Sequence, residues 1–241
     1  MVIYNLSGIK EFCSQPNVKL NNGTKENITF KFCSSHTIIF WSVIFVILMM
    51  KNNSNYIVPR IGLGTYNMNS QEAEEMTYAA IDYGYRHIDT AAVYQNEDGV
   101  GKALKRIFSD TNLKRADVTV TTKLWPGGLV KVDRVKNKEG TFKSIEKSLR
   151  NLDLDFVDLY LIHSPHAKNG RIEQWESLLE LQELGKTKHI GVSNWGINHI
   201  EELVDKGYPL PSANQIELHP WSQKPELVSY LQEKGIDIIA Y

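Results

Sequence analysis

Four groups that can handle protons stand at the ends of short apolar runs. Asp89 and Tyr94 follow His87–Ile88, Lys123 closes Val118–Thr122, and His163 closes Val157–Ile162. A carboxylate, a phenol, an ammonium and an imidazole around one pocket suit proton delivery to an oxygen on which negative charge is developing. A free phenol titrates near about 10, poorly matched to neutral pH. A neighbouring ammonium favours the phenolate and would bring that value down. Asp89 would keep Lys123 charged and aimed, and His163 would donate a hydrogen bond to the reacting oxygen. Taken singly, each has a plainer role: Asp89 as a cap or ion-pair partner, Tyr94 as a packed aromatic, Lys123 as a solvated strand end, His163 as a loop residue before Ser164–Pro165. Four such groups at successive strand ends are harder to explain as packing.

The elements that would position them repeat one theme. Candidate strands are Ile61–Tyr66, His87–Thr90, Val118–Lys123, Val157–His163, His189–Ser193, Asn214–Leu218 and Asp237–Tyr241. Between them lie stretches with apolar residues at a spacing near 3.6. Phe142, Ile145 and Leu149 mark one helix; Trp175, Leu178, Leu179 and Leu181 mark another. Asn69 and Glu72 suit a capping box before a helix ending near Gly84. Pro225 and Gly235 bracket the last helix. Strand starts recur every 23 to 39 residues, the rhythm of parallel strands joined by helical crossovers. An open doubly wound sheet would place a Gly-rich dinucleotide turn after its first strand; here Thr65-Tyr66-Asn67-Met68 follows instead. A (β/α)8 TIM barrel fits better, incomplete here with seven of eight strands. Its strand ends converge on one face, bringing Ser193, Asn194, Gln215, Glu217, His219 and Tyr241 to the face that carries Asp89, Tyr94, Lys123 and His163.

The 241 residues suffice for one large domain or two small ones. A net charge of −1 supplies no general attraction to nucleic acid or an anionic membrane. Both cysteines, Cys13 and Cys33, lie near the N-terminus, so no disulfide framework holds the body, in keeping with a reducing, cytoplasmic setting. No Cys/His cluster has zinc spacing, and His219-Pro220 reads as a turn.

Residues 1–56 form an atypical N-terminal region, distinct from 57–241. They contain the sequons Asn22-Gly23-Thr24 and Asn27-Ile28-Thr29 and an apolar run, Thr37–Met50. That run falls short of the ~17–20 residues a membrane-spanning helix needs. Three readings stay open: a non-native insert, a membrane segment, or a packed element. Membrane association would come only through 37–50.

The blocks GYRHIDTAAVYQNEDGVG (84–101), VTVTTKLWP (118–126), VDLYLIHSP (157–165), GKTKHIGVSNW (185–195), NQIELHP (214–220) and IIAY (238–241) closely resemble, in order and spacing, the aldo-keto reductases. The resemblance implies NADPH-dependent reduction of small aldehydes, ketones or sugar-type carbonyls by a monomer that binds the cofactor first. NAD(H) is an alternative cofactor. It implies a catalytic tetrad of Asp89, Tyr94, Lys123 and His163, with Tyr94 as general acid. Gly64, Thr65, Asp89, Ser193, Asn194, Gln215 and Tyr241 would contact the cofactor, with Tyr241 stacking on the nicotinamide ring. Tyr66, Trp125, His163 and Ser164 would line the substrate pocket. Tyr66 and Ser164 stand where tryptophan is common in the family, implying a wider, more polar pocket. Val18–Gly23 and Val58–Gly64 resemble two halves of the hairpin that plugs the barrel floor in the family. The family also carries an eighth strand and phosphate-gripping residues beyond the block at 238–241. Two open sheet edges and an unstable or inactive chain are therefore expected. The alternative function is an inactive fragment or a membrane-tethered, regulatory nicotinamide-binding protein.

Overall fold

A computed structural model describes the backbone of Val2–Asn5 and all of residues 57–130 and 132–241. The apolar run 37–50, the Val18–Gly23 stretch, both cysteines and both sequons lie outside the described residues. Among the described residues, no helix is long and apolar enough to cross a membrane.

The elements follow one another as β1 (Val2–Asn5), β2 (Ile61–Gly64), α1 (Ser70–Asp82), β3 (His87–Asp89), α2 (Glu97–Asp110), β4 (Thr119–Leu124), α3 (Lys138–Leu152), β5 (Val157–Ile162), α4 (Arg171–Glu183), β6 (Thr187–Ser193), α5 (Ile197–Val204), β7 (Ala213–Ile216), α6 (Pro225–Glu233) and β8 (Asp237–Ala240). From β2 to β8, each strand pairs in parallel with the next. These are the seven parallel strands expected, each within a few residues of its expected bounds.

The expected open edges are not there. β1 lies antiparallel between β2 and β8 and closes the ring. It aligns Val2 with Leu63, Ile3 with Gly62 and Tyr4 with Ile61 on one side, and Tyr4 with Ala240 and Asn5 with Ile239 on the other. An edge strand presents a row of unpaired N–H and C=O groups. An extended segment of either direction can satisfy them, and β1 stands outside the helix-and-strand rhythm that marks the other strands.

Local sequence explains the frame. The Asn69 side chain accepts from Glu72 N at 3.0 Å, and Glu72 accepts from Asn69 N at 2.8 Å, the reciprocal cap expected before α1. Gly84 ends that turn with φ +97°, a conformation that costs glycine little. Alternation along β5 separates two apolar sets. Tyr160 and Ile162 join the main core with helix residues such as Leu149, Trp175 and Leu178. Leu159 and Leu161 pack with Ala213, Ile239 and Val58 in a second cluster. Val58 thus caps an inner apolar set just before the chain enters β2.

Helices α1 and α2 meet closely at Gly99. A Cβ there would lie 1.9 Å from the Ser70 carbonyl oxygen, a backbone atom that cannot swing away. We expect Gly99→Ala to lower the denaturant midpoint, with an overpacking cost of at least ~1–3 kcal/mol. A midpoint equal to that of the parent protein would show that the two helices do not pack as described.

Candidate active site

Parallel strands end on one side of the ring, and the chemically able residues gather there. Gly64 ends β2, Asp89 ends β3 and Ser193 ends β6. Lys123 and Gln215 stand one residue before the ends of β4 and β7. Thr65, His163, Asn194 and Tyr241 each stand one residue beyond a strand. Tyr94 closes a 3₁₀ turn, Ala92–Tyr94, that follows β3 and ends at Gln95 with φ +56°.

At the centre, Lys123 donates to Asp89 Oδ1, and neither side chain is exposed. Lys123 Nζ also donates to the Thr90 carbonyl at 2.9 Å. Gln215 Nε2 donates to the other Asp89 oxygen at 2.8 Å. A buried carboxylate is tolerable only when paired and hydrogen-bonded, and Asp89 has a partner on each oxygen. The Lys123 ammonium lies 5.1 Å from the Tyr94 ring centre. The Tyr94 ring sits 5.5 Å from that of His163, edge on at 77°, and 5.2 Å from that of Tyr66. Trp125 adjoins His163 at 5.8 Å, its indole N–H donating to Asp133 at 2.9 Å. Asp89, Tyr94, Lys123 and His163 are therefore together, with Tyr66 and Trp125 beside them.

One electrostatic expectation is corrected. The Tyr94 phenol is pushed above its ordinary value, first by burial, then by the Asp89 carboxylate and by Tyr241 and Tyr66. Burial and the Asp89 carboxylate together outweigh the pull of the Lys123 ammonium, 5.1 Å from the ring centre. Burial first, then the Lys123 charge, lowers His163 to about 3. Its imidazole is neutral near pH 7, with one ring N–H to donate. Its Nδ1 is buried and has no hydrogen-bond partner among the described residues.

Beside this group lies a set of amides and hydroxyls. Ser193 Oγ donates to the Gln215 carbonyl at 3.0 Å, and Asn194 Nδ2 donates to Ser193 Oγ at 3.1 Å. The Tyr241 hydroxyl donates to Asn194 Oδ1 at 2.8 Å, which ties the half-buried ring to the rim of the set. Asn194 adopts φ +62°, a conformation asparagine tolerates better than most residues. A flat ring beside clustered amide donors and acceptors matches what a ring carrying a carboxamide requires. One N–H of the Gln215 side-chain amide is committed to Asp89, which leaves its second N–H and its side-chain oxygen to offer a ligand.

Other expected positions divide. Tyr66 is 54% exposed over Tyr94. Ser164 is buried, with its hydroxyl 2.6 Å from His166 Nδ1. The Thr65 hydroxyl is bonded within the protein, to Asn96 Oδ1 at 3.2 Å and weakly to the Asp89 carbonyl. A cavity of about 540 Å³ between α5 and α6, lined by residues including Ile197, His199 and Lys224, contains none of the tetrad. The sequence reading passed over Asn96, which is fully buried beneath Thr65 and Thr90. It also missed Asp133, the partner of Trp125. Asn96 immediately precedes the acidic first turn of α2 and so reads as an ordinary cap.

A family model for the aldo/keto reductase family matches residues 60–241. The glycerol 2-dehydrogenase (NADP(+)) of Saccharomyces cerevisiae is 37% identical over 218 residues, covering 78% of this chain and 66% of that protein. The methylglyoxal reductase DkgA of Yersinia pestis is 41% identical over 180 residues, covering 74% and 60%. The crystal structure of a Bombyx mori aldo-keto reductase in complex with NADP superposes with a TM-score of 0.67 at 34% identity, covering 76% of this chain and 62% of that one. The chain spans less than two thirds of the length of each of these relatives.

The buried imidazoles generate a pH dependence. Burial, above all, lowers His87 from 6.5 to about 4, and His163 is lowered to about 3. The unfolded chain takes up these protons first as pH falls, so acid favours unfolding. The stability these two groups contribute is full above about pH 6.5 and is lost as pH falls through the folded values of about 4 and 3. Urea midpoints should therefore fall between about pH 6.5 and about pH 4, and His87→Asn should flatten that slope. An unchanged slope in His87→Asn would show that His87 titrates normally in the folded state.

Proposed function

The chain belongs to the aldo/keto reductase family, and on that premise we propose that it reduces small aldehydes, ketones or sugar-type carbonyls to alcohols with NADPH. Tyr94 is the general acid. The observation that carries this reading is the wholly buried Lys123–Asp89 pair held beneath the Tyr94 ring, with the neutral His163 ring edge on beside it.

When bound, the cofactor supplies a hydride to the carbonyl carbon. Ser193, Asn194 and the Gln215 carbonyl are the groups that would hold its carboxamide, with the Tyr241 ring against its flat face. Negative charge then grows on the substrate oxygen, and Tyr94 Oη gives up its proton to that oxygen, leaving a phenolate and an alcohol. The Lys123 ammonium lies close enough to the ring to offset the charge that appears on Tyr94. Asp89 keeps that ammonium in place. His163, uncharged, donates a hydrogen bond from its ring N–H to the carbonyl oxygen and sets the substrate's orientation. The phenol, held above its ordinary value by burial and Asp89, is fully protonated before the reaction, as an acid must be. It regains its proton from water afterwards.

The pocket wall carries Tyr66 and Trp125 with Ser164 near its edge, and the hydroxyls at 66 and 164 favour polar carbonyls over apolar ones. The names of the yeast and Yersinia relatives, a glycerol dehydrogenase and a methylglyoxal reductase, support substrates of that kind. The NADP in the Bombyx relative supports the phosphorylated cofactor, with NAD(H) as the alternative to be compared directly.

Tyr94→Phe should lower aldehyde reduction by at least about 10²-fold while leaving NADPH binding intact. Both are measured together, by loss of NADPH absorbance and by quenching of protein fluorescence. Undiminished reduction by Tyr94→Phe would remove Tyr94 from the mechanism. A parent protein that binds NADPH but reduces no carbonyl would be a nicotinamide-binding protein and not a reductase.

A further inference from the structure

Asn96 holds an unusual position for an asparagine. It stands at the N-cap of α2, where an asparagine side chain ordinarily accepts from the first-turn N–H groups. Here it makes no such bond. The side chain turns inward, fully buried, and ties two loops together. Nδ2 donates to the Thr65 carbonyl at 2.8 Å and to the Met68 carbonyl at 2.9 Å. Oδ1 accepts from Thr65 Oγ1 at 3.2 Å and from Thr90 Oγ1 at 3.0 Å. An amide offers two N–H donors and two lone pairs, and all four are spent. The helix forgoes a side-chain cap so that this residue can serve both loops.

Both loops bear on the reacting groups. The Thr65–Met68 loop carries Tyr66, whose ring stands against Tyr94. Thr90 supplies the carbonyl that accepts from Lys123. Thr65 N donates to the Asp89 carbonyl at 2.9 Å, and Thr90 N to the Thr121 carbonyl at 2.9 Å. One amide therefore joins the wall of the pocket to the anchor of the ammonium.

We propose that Asn96 is a positioning residue that locks the Thr65–Met68 loop and the Thr90 carbonyl in one geometry, so that Tyr66 shapes the substrate pocket while Lys123 stays beneath Tyr94. Its two ends act on different kinetic constants. The Oδ1 contact with Thr90 reaches Lys123 and governs the chemical step, while the Oδ1 contact with Thr65 belongs to the pocket loop. The Nδ2 end reaches Tyr66 through the loop and governs substrate fit.

The test rests on the reductase reading for its kinetic half, and uses three variants with methylglyoxal and NADPH. Thr90→Val removes only the Thr90 arm and should lower kcat about tenfold with the carbonyl KM unchanged. Asn96→Asp still accepts from both hydroxyls but loses the Nδ2 donors. It should raise KM about tenfold with kcat near the parent value. Asn96→Ala loses both arms and should lower kcat by about 10²-fold, the scale on which a displaced catalytic group is felt, and raise KM as well. A purely structural residue would lower stability in all three without separating the constants, and that result overturns the proposal. Hydrogen exchange supplies a readout independent of turnover. Amides of 65–68 should exchange faster in Asn96→Asp while those of Thr119–Leu124 stay protected, and equal exchange in loop and strand overturns the lock. If the parent protein itself reduces no carbonyl, the reductase reading fails, and the exchange experiment alone decides the role of Asn96. Should Asn96→Ala not fold, Asn96→Asp and Thr90→Val carry the comparison.

Discussion

The rest of the site depends on the buried pair between Asp89 and Lys123. Removing two charges from water costs several kcal/mol per ion, and attraction repays this only where geometry is good and the remaining donors and acceptors are met. Here the remaining partners come from elsewhere: the Thr90 carbonyl after β3 and the Gln215 amide in β7. The pair is therefore satisfied only when β3, β4 and β7 reach the same face at the same height. The parallel registers supply that alignment. Gly64 stands opposite Asp89, and Ser193 opposite Gln215. The closed ring brings strands distant in sequence within hydrogen-bonding reach.

Around that pair the site keeps its other groups neutral. Burial holds protons on Tyr94 and off His163. Both effects share one cause, the loss of water that would stabilise either charge. A neutral phenol can give a proton and a neutral imidazole can give a hydrogen bond, while Lys123 Nζ lies 5.1 Å from the centre of the phenol ring. Dry surroundings also strengthen the field of that ammonium on whatever approaches the phenol.

Much of this was legible in the sequence. The strands fell within a few residues of their expected bounds because β-branched runs between amphipathic stretches leave little choice of period. The Asn69–Glu72 cap formed as its spacing required. The tetrad was legible because each member stands at or just past a strand end. What escaped depends on contacts across the fold. Gln215 and Asp89 lie 126 positions apart, and no local pattern announces that the amide donates to the carboxylate. Asn96 looks like a cap because the choice between capping and bridging is made by the loops that meet it. The upward shift of Tyr94 escapes a local reading, since burial and the Asp89 carboxylate outweigh the nearby ammonium. β1 was missed because it lies outside the alternation of strands and helices that marks the other seven.

The ring is not equally tied all the way round. β5 aligns four pairs with β4 and five with β6, whereas β1 aligns three with β2 and two with β8. Lys123 and His163 sit on the long ladders. Gly64, Thr65 and Tyr241 sit on the two strands that β1 joins. Regions with fewer cooperative backbone bonds open at lower free energy than the well-paired centre. β2 and β3 align two pairs, as do β6 and β7, so Asp89 and Ser193 also stand on short ladders, and the bonds from Asp89 to Lys123 and Gln215 tie the strand ends together across the ring.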